Sequence, residues 1–126
     1  MALIESKLLA AVTDVKIKIT YWGTRPVLAG YVYQLKSSNP DATVDEKNGD
    51  NTNSEDDIYS LPTPVADNVG RKVRLVSSVT AIDDDSDFTV QMDVIQDGQI
   101  TDTLISPGHV NKDGESVESI DIIKFK

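Results

Sequence analysis

A period of two is the feature that most restricts this fold. Between residues 15 and 21 the apolar Val15, Ile17, Ile19 and Tyr21 alternate with Lys16, Lys18 and Thr20, so an extended chain puts one set on each face. The same alternation returns in residues 27–36 through Tyr31, Tyr33 and Leu35, and in residues 71–82 through Val73, Leu75, Val79 and Ala81. It returns again in residues 88–96 through Phe88, Val90, Met92 and Val94. A surface helix needs its apolar residues three and four apart, so a chain written this way folds as half-buried strands.

Turn residues punctuate these runs. Gly23-Thr24-Arg25-Pro26 separates the first two, and Gly30 inside the second predicts a bulge or the close approach of another backbone. Asp97-Gly98 between two alternating runs is a type I′ hairpin signal. A two-residue loop there pairs Gln96 with Gln99 and Ile95 with Ile100, setting Val94 opposite Thr101 and Val90 opposite Ile105. The same register brings Asp93 and Asp102 face to face on the solvent side, where like charges repel. Ser106-Pro107-Gly108 is expected to end this strand and leave His109 in an exposed loop. Asn111-Lys112-Asp113-Gly114 then turns the chain into a last strand carrying Val117, Ile120, Ile122, Ile123 and Phe125. Its phase slips between Ile122 and Ile123, which predicts a bulge. Ile58-Tyr59-Ser60-Leu61 forms a short strand ended by Pro62 and Pro64.

Six or seven strands with turns every eight to twelve residues, about the spacing of such folds, predict an all-β fold. At 126 residues it is one domain, an antiparallel β-sandwich of jelly-roll or Ig-like type, with a small β-barrel as the alternative. No internal repeat is found. Two stretches stand apart from the pattern. Residues 1–12 read as an amphipathic helical turn or two, with Leu3, Leu8, Ala11 and Val12 near one face. Glu5 and Lys7 interrupt them too early for a membrane span or a signal peptide, and nothing assigns a compartment. Residues 37–57 hold seven acids and one lysine, with Ala42 and Val44 the only apolar members. That composition predicts a flexible acidic loop.

Composition also restricts the chemistry. The chain has no cysteine and one histidine, His109, which removes thiol nucleophiles and leaves a single imidazole base. No Gly-x-Ser-x-Gly, P-loop or Gly-x-Gly-x-x-Gly is found. A non-enzymatic protein without an obligatory cofactor is therefore expected, and a small hydrolase built on a carboxylate pair is the remote alternative. Twelve basic against twenty-one acidic residues give a net charge of −9. That charge disfavours nucleic acid and anionic membranes as partners. The basic cluster Arg71-Lys72-x-Arg74 alternates across the faces of a strand.

Three groups of residues remain as candidate sites. Asp83, Asp84, Asp85 and Asp87 join two predicted strands, and several carboxylates in one turn suit a hard cation such as calcium. Neither acidic stretch fits an EF-hand loop, and aspartates are also ordinary turn residues. Trp22, Tyr21, Tyr31 and Tyr33 fall in one predicted hairpin, where aromatic faces beside polar groups would bind carbohydrate. The alternative for the tyrosines is the core. Leu3, Ile4 and Leu8, with Ile120, Ile122 and Phe125, make the terminal segments apolar enough to form an interface. The last strand's edge is guarded only by Lys124 and Lys126. The expectation is a non-catalytic β-sandwich module for self-assembly or protein–protein interaction, as a homo-oligomer or with a protein partner. The alternative is a lectin-like carbohydrate-binding domain, assisted by calcium.

Overall fold

The alternating segments pair into two sheets that pack face to face. The computed structural model describes residues 2–37, 42–51 and 57–126. Among these, nine strands form: β1 (Ala2–Ser6), β2 (Val15–Gly23), β3 (Val27–Lys36), β4 (Thr43–Asp50), β5 (Asp57–Ser60), β6 (Lys72–Ala81), β7 (Ser86–Gln96), β8 (Gln99–Val110) and β9 (Ser116–Phe125). A five-stranded sheet runs β1-β9-β6-β3-β4 and a four-stranded sheet runs β5-β2-β7-β8. The result is a β-sandwich with no closed barrel, antiparallel throughout except that β1 lies parallel to β9.

The inward set is the one that alternation selects. Val15, Ile17 and Ile19 of β2, Val73, Leu75 and Val79 of β6, and Phe88, Val90, Met92 and Val94 of β7 are all buried between the layers. Burying each such side chain is worth about 1.5–3 kcal/mol, so the alternation itself decides which face of each strand turns inward.

At Asp97-Gly98 both central residues have positive φ, 47° and 84°, the geometry of a type I′ turn. The Asp97 carboxylate also accepts the backbone N–H groups of Thr13 and Asp14, at 3.2 and 3.0 Å, which ties the turn to the start of β2. Gln96 pairs with Gln99 and Ile95 with Ile100, but the ladder then shifts by one residue. Val94 faces Asp102 rather than Thr101, and Val90 faces Ser106 rather than Ile105. This bulge parts the two aspartates. Asp93 lies opposite Thr103, whose hydroxyl donates to it at 2.7 Å, and Asp102 accepts the Ser6 hydroxyl at 2.6 Å.

Several segments depart from their sequence expectation. Residues 2–6 form a strand, not a helical turn, because a helix this short is marginal while β9 offers an open ladder. Leu8 and Val12 then pack against the core, with Gln96 accepting the Leu9 N–H and donating to the Lys7 carbonyl, both at 2.9 Å. Within the acidic stretch, residues 43–50 form β4 along β3, and residues 38–41 and 52–56 lie outside the described residues. Backbone pairing rather than apolar burial holds β4. Asp45 and Lys47 fall on the side of buried Leu35 and Tyr33, and inward-pointing charges of this kind guard a sheet edge. Pro107 does not end β8, because an edge strand seats a proline whose missing N–H faces away from the ladder. His109 is therefore a strand residue opposite Asp87. No bulge interrupts β9 between Ile122 and Ile123, where the register with β6 is continuous. The inward position next to Ile123 is taken by Asp121, fully buried, which accepts the Ala2 N–H at 3.0 Å and the Ser119 hydroxyl at 2.9 Å. Gly30 likewise sits in an unbulged ladder with β6.

The left-handed backbone at residue 98 suits glycine and penalises a β-branched side chain. Gly98→Val is expected to lower stability by about 1–3 kcal/mol, read as a lower melting midpoint in thermal or denaturant unfolding.

Candidate interaction surface

Side chains that point away from the core of the five-stranded sheet form cross-strand rows. Val32, Val76 and Ile120 stand side by side on β3, β6 and β9. In the next row Arg74 stands beside Ile122, and Ile122 beside Leu3 of β1. The outer face of a sandwich sheet is normally polar, yet an apolar stripe crosses this one, and Leu3 is 60% exposed. Beside it lies a hollow of about 450 Å³ lined by Gly30, Val32, Asn48, Val76, Ser78 and Glu118. Gly30 makes the hollow without being needed by its own fold. Among the described residues a Cβ there would meet only the Gly49 carbonyl, at 3.9 Å, and φ is not positive.

The structure thus gathers Leu3, Ile120 and Ile122 from the expected interface and adds Val32 and Val76. The other three turn away. Ile4 faces the core, Phe125 is fully buried, and Leu8 packs across one end of the sandwich. The last strand is not an open edge along Asp121–Phe125, which β1 covers. Val32 and Val76 carried a signal, since each is apolar at a position out of phase with its strand's buried set.

The aromatic group divides. β2 and β3 lie in different sheets, so Tyr21 and Tyr31 meet across the core at 6.1 Å between ring centroids. The hydroxyls of Tyr21 and Ser77 are 2.7 Å apart and those of Tyr31 and Tyr59 are 2.6 Å apart. Tyr31 and Tyr33 are buried, and the Tyr33 hydroxyl finds no hydrogen-bond partner among the described residues. Burial pushes the hydroxyls of Tyr21 and Tyr33 above the usual tyrosine value. Trp22 alone stays half exposed, with its indole N–H donating to the Gln91 side chain at 3.0 Å. It borders a cleft of about 370 Å³ with Thr24, Arg25, Pro26 and Asn51. The Asn51 amide is engaged by Ala29 and Val27 of β3, at 2.8 and 2.9 Å.

The carboxylates of the acidic turn between β6 and β7 take separate partners. Asp84 accepts the Asp113 N–H at 2.8 Å, and the Asp83 carbonyl accepts the Ser86 hydroxyl at 2.7 Å. Asp87 and Asp85 flank the His109 ring, 2.7 Å from Nδ1 and 3.6 Å from Nε2. Among the described residues no three His, Cys, Asp or Glu side chains are grouped to hold a metal ion. No helix among them is long and apolar enough to cross a membrane. Comparison with protein-family models, with curated proteins and with solved structures finds no match.

The hydrogen bond to Asp87, followed by the charges of Asp87 and Asp85, raises the His109 pKa above 6.5. Folding therefore favours the protonated ring. Its contribution is complete below the ordinary histidine range and is lost as pH rises through the raised value. Because His109 is the single histidine, its imidazole signals in an NMR titration are unambiguous. Their midpoint is expected above 6.5 and should move down in Asp87→Asn; a midpoint unmoved by that change would contradict the pairing.

Proposed function

We propose that this protein is a non-catalytic β-sandwich module for self-assembly, docking through the outer face of its five-stranded sheet. The apolar stripe of Leu3, Val32, Val76, Ile120 and Ile122 supports the reading. These side chains do nothing for the protein's own core, and covering them removes apolar surface from water. At about 1.5–3 kcal/mol for a fully buried aliphatic side chain, five partly exposed ones approach the cost of association, on the order of 4–15 kcal/mol. Contacts at the rim must supply the rest. Sedimentation at about 10–100 µM, a range that captures interfaces of roughly −5.5 to −7 kcal/mol, is expected to show an oligomer for the wild type. Val76→Asp, which places a charge at the centre of the stripe, should sediment as a monomer with its melting midpoint retained. A wild type that stays monomeric throughout that range would remove the proposal.

The half-exposed Trp22 beside its cleft favours a second reading, a lectin-like domain. An aromatic face next to Thr24 and Arg25 is suited to stack on a sugar ring. Trp22 is the single tryptophan, so its fluorescence reports on that cleft. A saccharide that binds there should shift the emission of the wild type and leave Trp22→Ala without affinity on a glycan array. Calcium assistance at Asp83, Asp84, Asp85 and Asp87 would show as a calcium-dependent rise in melting midpoint, and an unchanged midpoint would remove it from this reading.

A further inference from the structure

The apolar stripe lies between two regions of opposite charge. On one side Lys36, Lys72 and Lys124 stand side by side on β3, β6 and β9, with Arg74 in the adjacent row and Glu5 of β1, which pairs with Lys126, at the end of the lysine row. The three lysines of the row and Arg74 are four of twelve basic residues in a chain of net charge −9, collected on one end of one face. At the other end Gly30, Ser78 and Glu118 form a row, with Asp50 of β4 next to Gly30. Lys124 and Glu118 belong to the same strand and face, about 20 Å apart at the rise of an extended chain. Both are exposed. Ile120 and Ile122 lie between them, symmetrically placed about the centre of that span.

We infer that this face docks on the same face of a second copy about a two-fold axis. The axis lies in the interface and runs across the strands, between the row of Val76 and the row of Arg74. The inference rests on the self-assembly reading and adds the partner's orientation. Rotation about that axis sets Ile120 against Ile122 of the second copy and Lys124 against Glu118 of the second copy, twice over. The basic row of each copy then covers the other's acidic row, so the charge pattern is self-complementary, as an isologous contact requires. Arg74 of the second copy arrives over Val76, beside the hollow that Gly30 leaves open, and a guanidinium on a long apolar stem is a favoured interface residue.

The same operator closes the assembly at two copies. Five strands spaced about 4.8 Å apart and a docking length of about 20 Å give on the order of 500 Å² per copy. That lies near the lower limit for a specific contact and corresponds to a reversible dimer.

Charge reversal tests the orientation. Lys124→Glu and Glu118→Lys each turn both rim pairs into like-charge pairs, so either variant alone should dimerise at least about tenfold more weakly than the wild type. An equimolar mixture of the two restores opposite charges at both positions and should regain a dimer within about threefold of wild-type affinity. Both side chains are exposed, and unchanged melting midpoints will show that the variants fold. Single variants that dimerise as the wild type does, or a mixture that stays monomeric beside a dimeric wild type, would overturn the orientation and leave self-assembly standing. A monomeric wild type would overturn both.

Discussion

Hydroxyl groups that bond across the layer between the sheets give this sandwich its alignment. Apolar burial is non-directional, so it drives the sheets together without choosing how they sit. Tyr21 of β2 meets Ser77 of β6 in the interior, Tyr31 of β3 meets Tyr59 of β5 near one edge, and Ser6 of β1 meets Asp102 of β8 near the other. Each such bond contributes only about 0.5–1.5 kcal/mol net, but a buried hydroxyl left without its partner loses more than that. Sliding one sheet over the other would leave several unpaired together. Gly49 belongs to the same arrangement, because a Cβ at that position would collide with the Tyr31 hydroxyl. The outer faces inherit this alignment, and the rows of the five-stranded sheet keep a fixed geometry because of it.

How far the residues alone disclose this structure depends on whether a segment is held by side chains or by backbone. β2, β6 and β7 bury an apolar alternation and were legible from it. β4 has no apolar alternation, since it is held by the ladder of β3, and its composition resembles a solvated loop. β9 misleads for a third reason. Its inward series includes Asp121, a buried carboxylate satisfied by Ala2 and Ser119, while Ile120 and Ile122 point outward. A reading that sends every apolar side chain to the core must therefore place a bulge where none exists.

The candidate surface was half legible for the same reason. Leu3, Ile120 and Ile122 stand out as apolar residues near the ends of the chain, but their grouping is a matter of register, and register between β1, β9, β6 and β3 spans the whole sequence. Val32 and Val76 become significant only once Ile120 is known to lie beside them. The tyrosines show the converse. Neighbours in sequence, they are split between two sheets and turned inward, and only Trp22, of opposite parity to Tyr21, remains at the surface.

The pairing of β1 with β9 sets an order of events in the making of this protein. Ala2 and Asp121 are 119 residues apart, and while a ribosome is still extending the chain the first strand has no ladder to join. Leu3 reaches its place beside Ile122 only after β9 has been synthesised and has docked on β6, and contacts this distant in sequence form late and slowly. A surface that draws on both β1 and β9 is thus absent until β9 has paired. The row that joins Leu3 to Ile122 is therefore one of the last features of this sheet to take shape.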